Sequence, residues 1–200
     1  MKSKKNSQVL NGKDLINIGI FTALYMVISI AIACTIGMIP LGFMLLPLIL
    51  PIIEGIPMML YYTKIKKFGM LLILQVISGI MMILTAMGPS ALISGVILGA
   101  IAEWILKISE YKSSKGIVLS YAILSVTAAA NYVQWFNASE NWLEEKAASY
   151  GEVYMNTVAG YCAHTWVLPM LIISAFVGGM IGALLGKAVL KKHFVRSGLI

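Results

Sequence analysis

The sequence predicts an all-α, polytopic membrane protein with six transmembrane helices and both termini on the cytoplasmic side. Three observations lead there. Of the 200 residues, 60% are apolar and only 12% are charged, and mean hydropathy is +0.89, whereas a soluble domain averages about 25% charged residues. Six apolar runs approach the roughly 20 residues needed to cross a bilayer core of about 30 Å. Finally, fourteen of the 15 basic residues fall on one side when the chain crosses six times; five or seven crossings break that alternation.

The elements follow in order within one membrane domain, residues 1–200. A cytoplasmic tail over 1–13 carries Lys2, Lys4, Lys5 and Lys13. Asn11 is placed to cap the first helix, with Asp14 three residues on. The run 15–37 is longer than a signal-peptide core, and Ala31-Ile32-Ala33-Cys34 only weakly resembles a lipoprotein cleavage box, so it reads as an uncleaved first span. Gly37 and Pro40 separate it from 40–62, after which Lys64, Lys66 and Lys67 interrupt. Gly88 and Pro89 divide 68–86 from 89–107, and Lys107, Lys112 and Lys115 precede 116–136. An extracellular segment over about 137–164 is long, acidic and aromatic, with Trp142, Tyr150, Tyr154 and Tyr161. Connections of that length tend to be functional. It holds Lys146, the one basic residue on its side, among Glu140, Glu144, Glu145 and Glu152. The last run, 165–188, closes the bundle over 15–188, and the tail 189–200 adds Lys191, Lys192 and Arg196 to Lys187.

Several function classes drop out. No basic patch interleaves with aromatics on a soluble segment, so nucleic acid is not expected as a partner. There is no phosphate-binding GxxxxGK[ST], no HExxH and no GxSxG, and the protein is not expected to be an enzyme. Glu144-Glu145 lacks the Arg and His residues of membrane-embedded prenyl proteases. With His164 and His193 the only histidines, no intrinsic metal site and no resident cofactor are expected. Cys34 and Cys162 read as small packing residues, with a single bridge between them as the alternative.

Three features within the spans carry more. Small residues recur at i, i+4 in Gly19 and Ala23, in Gly95 and Gly99, and in Gly178, Gly182 and Gly186, a spacing that lets helix backbones approach closely. Two carboxylates lie inside spans. Glu54, about 20 Å below the outer edge by helix rise and flanked by Pro51 and Pro57, should face protein, water or a partner. Glu103, four residues before Lys107, is expected to pair with it near the inner surface. At the outer mouth Asn131, Gln134, Trp135 and Asn137 end the fifth run, while Tyr161, Cys162, His164, Thr165 and Trp166 open the sixth. Pro169 fits the first turn of a helix starting near Thr165, which would set His164 at a helix N-terminus. With almost no basic groups there, a flat, weakly polar ligand suits this mouth better than a polyanion.

The stretch from Lys13 to Tyr25, Glu54-Gly55-Ile56-Pro57, Lys66-Lys67-Phe68-Gly69, Trp166-Val167-Leu168-Pro169 and Val177-Gly178-Gly179 resemble the Trep_Strep group of membrane proteins over nearly the whole chain. That group is similar to the substrate-binding S components of energy-coupling factor (ECF) transporters, which are six-helix, N-in/C-in bundles. The resemblance implies capture of a micronutrient outside, docking on a transmembrane T component, and inward release powered by two ATPase subunits. It places T-component docking on Gly19 and Ala23, a GxxxA version of the family's AxxxA pattern. It places ligand on Met87, Pro89, Asn131, Trp135, Tyr161 and His164, with Trp166 adjoining. The expected substrate is vitamin-like or a tetrapyrrole. Haem leads, because His164, Tyr161, Cys162 and nearby methionines include candidate iron ligands. Alternatives are a standalone secondary transporter of a small apolar solute, in which Glu54 would couple protons, and a non-catalytic membrane scaffold.

Overall fold

The computed structural model describes residues 9–85 and 88–194; Lys2, Lys4, Lys5, Met87 and Arg196 lie outside them. The described residues are overwhelmingly helical, with no strand among them. Helix α1 spans Gly12–Thr35 and opens on the expected cap: the Asn11 side chain accepts from the Asp14 N–H at 3.0 Å, and Asp14 accepts from the Asn11 N–H at 2.8 Å. A 3-10 turn, Ile36–Met38, leads to α2, Pro40–Lys64, with Pro40 at its first position. Then come α3 (Met70–Leu84), α4 (Ser90–Ile108), α5 (Ser114–Ser125), α6 (Thr127–Ala130), α7 (Val133–Phe136), α8 (Glu140–Tyr150), α9 (Glu152–Cys162) and α10 (Val167–Val189).

Four stretches are long and apolar enough to cross a bilayer: Gly12–Met38, Pro40–Lys64, Ser90–Ile108 and Val167–Lys192. The other two expected spans are modified. With 15 residues, α3 rises only about 22 Å. The fifth run is broken after Ser125 and again after Ala130. At the first break the Val126 N–H turns to the Ile123 carbonyl at 3.2 Å, while Ser125 Oγ donates to the Tyr121 carbonyl at 2.7 Å and Thr127 Oγ1 to the Leu124 carbonyl at 2.8 Å. The segment 137–164 is two helices rather than an open loop. Ser139 caps α8, and Gly151, at φ +87°, turns the chain into α9 in a conformation that side chains resist.

The molecule has two distinct ends. At the basic end, Lys67 pairs with Asp14 at 2.6 Å, Lys107 lies over the Phe68 ring at 5.2 Å, and Lys187 donates to Ser114. A core of Met58, Tyr61, Met70, Leu74 and Leu106 fills the bundle there. At the other end a second core gathers Met44, Tyr132, Val158, Cys162 and Leu171.

Glycines set the closest contact. Along one face of α10, a Cβ on Gly178 would stand 2.4 Å from the Leu48 carbonyl oxygen, one on Gly182 2.1 Å from that of Pro51, and one on Gly186 2.3 Å from that of Gly55. Helices α2 and α10 therefore pack backbone on backbone. Gly95 and Gly99 of α4 rest against the Gln75 side chain of α3. Gly19 and Ala23 differ: both are exposed, and nothing lies within 4 Å of where a Gly19 Cβ would be.

Candidate functional site

Proline chemistry organises the aromatic end. Pro47 has no N–H, so the Phe43 carbonyl four residues earlier loses its helical partner. The Tyr132 hydroxyl donates to it. This fixes the Phe43 ring as a hub: Tyr132 lies 4.7 Å away by ring centroid, Trp135 5.5 Å and Tyr154 6.3 Å. Trp142 of α8 meets Trp135 edge-on at 5.2 Å, and Tyr150 stacks on Tyr154 at 6.0 Å. Tyr154 also donates to the Gly37 carbonyl at 2.7 Å, tying α9 to the turn before α2. Burial, with Tyr150 close by, pushes the Tyr154 phenol up to about 12, so it stays a neutral donor at neutral pH. Beside it runs an open groove of about 610 Å³ lined by Met38, Pro40, Tyr150, Gly151, Glu152, Val153 and Tyr154.

The residues singled out from sequence divide. Trp135 belongs to the aromatic cluster. Asn131 is half-buried where α6 gives way to α7, and its Oδ1 has no hydrogen-bond partner. Pro89 is exposed at the start of α4, and the adjoining Gly88 faces the Gln134 amide. Tyr161, His164 and Trp166 are exposed on the outside of the α9–α10 corner, where the His164 and Trp166 rings stack at 6.2 Å. The structure thus does not bring these three together with Trp135. Helix α10 starts at Val167, with Pro169 in its first turn, two residues later than expected; Trp166, not His164, holds the cap. Cys162 faces the core and burial pushes its thiol up to about 11, whereas Cys34 is exposed, and both are free. Met87 lies outside the described residues.

Sequence reasoning did not name Met38, Pro40, Phe43 or Tyr132 as site residues. One signal was available, the carbonyl that Pro47 frees at Phe43, but which hydroxyl answers it depends on how α6 packs.

The two buried carboxyls have unlike surroundings. Glu103, 0% exposed, accepts from the Leu71 N–H at 2.8 Å and the Tyr111 hydroxyl at 3.2 Å, with the Gly69 and Leu72 amides also turned to it. It caps α3 from a neighbouring helix, as a carboxylate at a helix N-terminus should. The expected Glu103–Lys107 pair is not formed, because Lys107 extends over Phe68 instead. Glu54, 3% exposed, meets only hydroxyls, those of Ser29 and Tyr25 on α1.

No curated protein and no solved structure matches this chain. A family model does, described as hypothetical bacterial integral membrane protein (Trep_Strep), and the match takes in every helix from α1 to α10. Matched over residues 12–196, the chain belongs to the Trep_Strep family of bacterial integral membrane proteins.

Proposed function

We propose that this protein is the substrate-binding S subunit of an ATP-driven, ECF-type importer in the cell membrane, with the basic end and both termini cytoplasmic. The chain carries no catalysis of its own: two partner ATPases supply the energy through a transmembrane T component. One observation carries the reading. The i, i+4 pair Gly19 and Ala23 stands on an exposed, unfilled face of α1, while the comparable glycines of α4 and α10 are taken up inside the bundle. A small-residue face left open towards lipid suits close approach by a partner helix.

At the opposite end the aromatic hub and its groove support capture of a flat, weakly polar micronutrient, vitamin-like or tetrapyrrole. Haem is the first compound to test, with His164 as the candidate iron ligand; it stands beside Trp166 on the exposed α9–α10 corner, apart from the groove at Tyr150 and Tyr154. The six-span arrangement belongs to this reading, with α3 and the broken α5–α6–α7 run completing the bundle.

Affinity purification of the tagged chain from its native membrane tests the proposal. A T component and an ATPase pair should come down with the wild type and be lost with Gly19→Leu or Ala23→Leu. Intact association in both variants would overturn the docking face. Uptake by liposomes holding this chain alone would overturn the ATP-driven reading in favour of a standalone secondary transporter. For haem, the wild type should shift the Soret band and His164→Ala should lose that shift.

A further inference from the structure

Glu54 sits where a negative charge has nothing to balance it. Of the elements packed around α2 at this level, α1 brings the Tyr25 phenol and α5 the Tyr121 phenol; α6 contributes Ala128, and α10 meets α2 through glycines. No cation is among them. Among the described residues the ion pairs are Lys67 with Asp14 and Lys112 with Glu110, neither of which involves Glu54.

The hydrogens can be counted. Ser29 Oγ carries one proton but has two acceptors within reach, the Tyr25 carbonyl of its own helix at 3.0 Å and Oε1 of Glu54. A carbonyl can only accept. Once Ser29 donates to it, as hydroxyls do four residues along a helix, the Ser29–Glu54 contact needs a proton from Glu54. The neighbouring hydroxyls are committed elsewhere: Tyr121 donates to the Pro51 carbonyl at 2.9 Å and Ser125 to the Tyr121 carbonyl at 2.7 Å. Only the Tyr25 hydroxyl is left to donate to the carboxyl, too little to hold a bare carboxylate away from water.

We propose that Glu54 is a proton-binding site that latches α1 to α2. The acid donates to Ser29, Ser29 donates to the Tyr25 carbonyl, and the Tyr25 hydroxyl donates back to the carboxyl, closing a ring between the helices. The proton leaves to water in the adjoining cavity of about 10 Å³, lined by Tyr25, Pro51, Glu54, Tyr121 and Ser125, room for a single molecule. Ser29 must then swing its hydrogen from the Tyr25 carbonyl to the carboxylate. The latch grips α1 on the side of Ile18, Thr22 and Ser29, away from exposed Gly19 and Ala23. A proton equilibrium at Glu54 therefore sets how firmly α1 presents its outer face, whatever partner that face meets. The inference stands apart from the importer reading.

Infrared spectroscopy of the purified protein tests it. At neutral pH the spectrum should hold the carbonyl stretch of a buried protonated carboxylic acid, absent from Glu54→Gln and kept in Glu103→Gln. In Ser29→Ala the band should persist but shift, having lost its acceptor. No such band in the wild type, or a band that survives Glu54→Gln, would overturn the proposal. Should Glu54→Gln fail to accumulate, Ser29→Ala decides alone, and an unshifted band there rejects the latch.

Discussion

The small-residue stripes of α1 and α10 share one spacing and differ completely in surroundings. Gly178, Gly182 and Gly186 stand so close to carbonyls of α2 that no Cβ has room, whereas a Cβ on Gly19 would meet nothing within 4 Å. In lipid, apolar contact between helices gains little over contact with acyl chains, so association rests on close backbone approach. A stripe that is filled works as structure. One that is open remains available for a contact made with another chain. The spacing is the same in both, and only the neighbour tells them apart.

Three substitutions grade this contrast. Gly182→Leu should be the most damaging: the 2.1 Å between a Cβ and the Pro51 oxygen forces α2 and α10 apart, at a cost of at least about 3 kcal/mol. Unfolding of the purified protein in detergent should show it as a large loss of melting temperature or of folded yield. Gly95→Ala should be mild, because the new methyl meets the Gln75 Cβ at 3.3 Å and better helix propensity offsets the crowding; a net change under about 1 kcal/mol is expected in the same assay. Smallest is Gly19→Leu, which should leave stability within about 0.5 kcal/mol of wild type while abolishing partner association. A strongly destabilised Gly19→Leu would show that the α1 stripe, too, is structural.

Much of the helical layout was legible beforehand. The Asn11–Asp14 cap is a local pattern, complete within four residues, and it forms as expected. Glu103 was not legible: a lysine one turn on suggested a local pair, but beside the Tyr111 hydroxyl its partners are amides at the start of α3, some thirty residues away, brought near by the α3–α4 hairpin. The fifth run was legible as apolar, but its breaks after Ser125 and Ala130 were not, because hydropathy does not register how the backbone turns at Val126 and Asn131. At the mouth, residue type drew attention to Trp135, which lies in the aromatic cluster. It could not separate Cys162, which turns inward, from Tyr161 and His164, which turn out, because a corner between two helices has no period to read.

The sequence by itself determined that this is a multi-pass membrane protein with its basic residues at the ends of apolar runs, since hydropathy and charge act through length and order along the chain. Tertiary structure alone decided which glycines are filled, which carbonyl Tyr132 satisfies, and that Glu103 meets amides while Glu54 meets hydroxyls. Those outcomes depend on which helix lies alongside, and each is settled by a contact of a few ångströms between residues far apart in the chain.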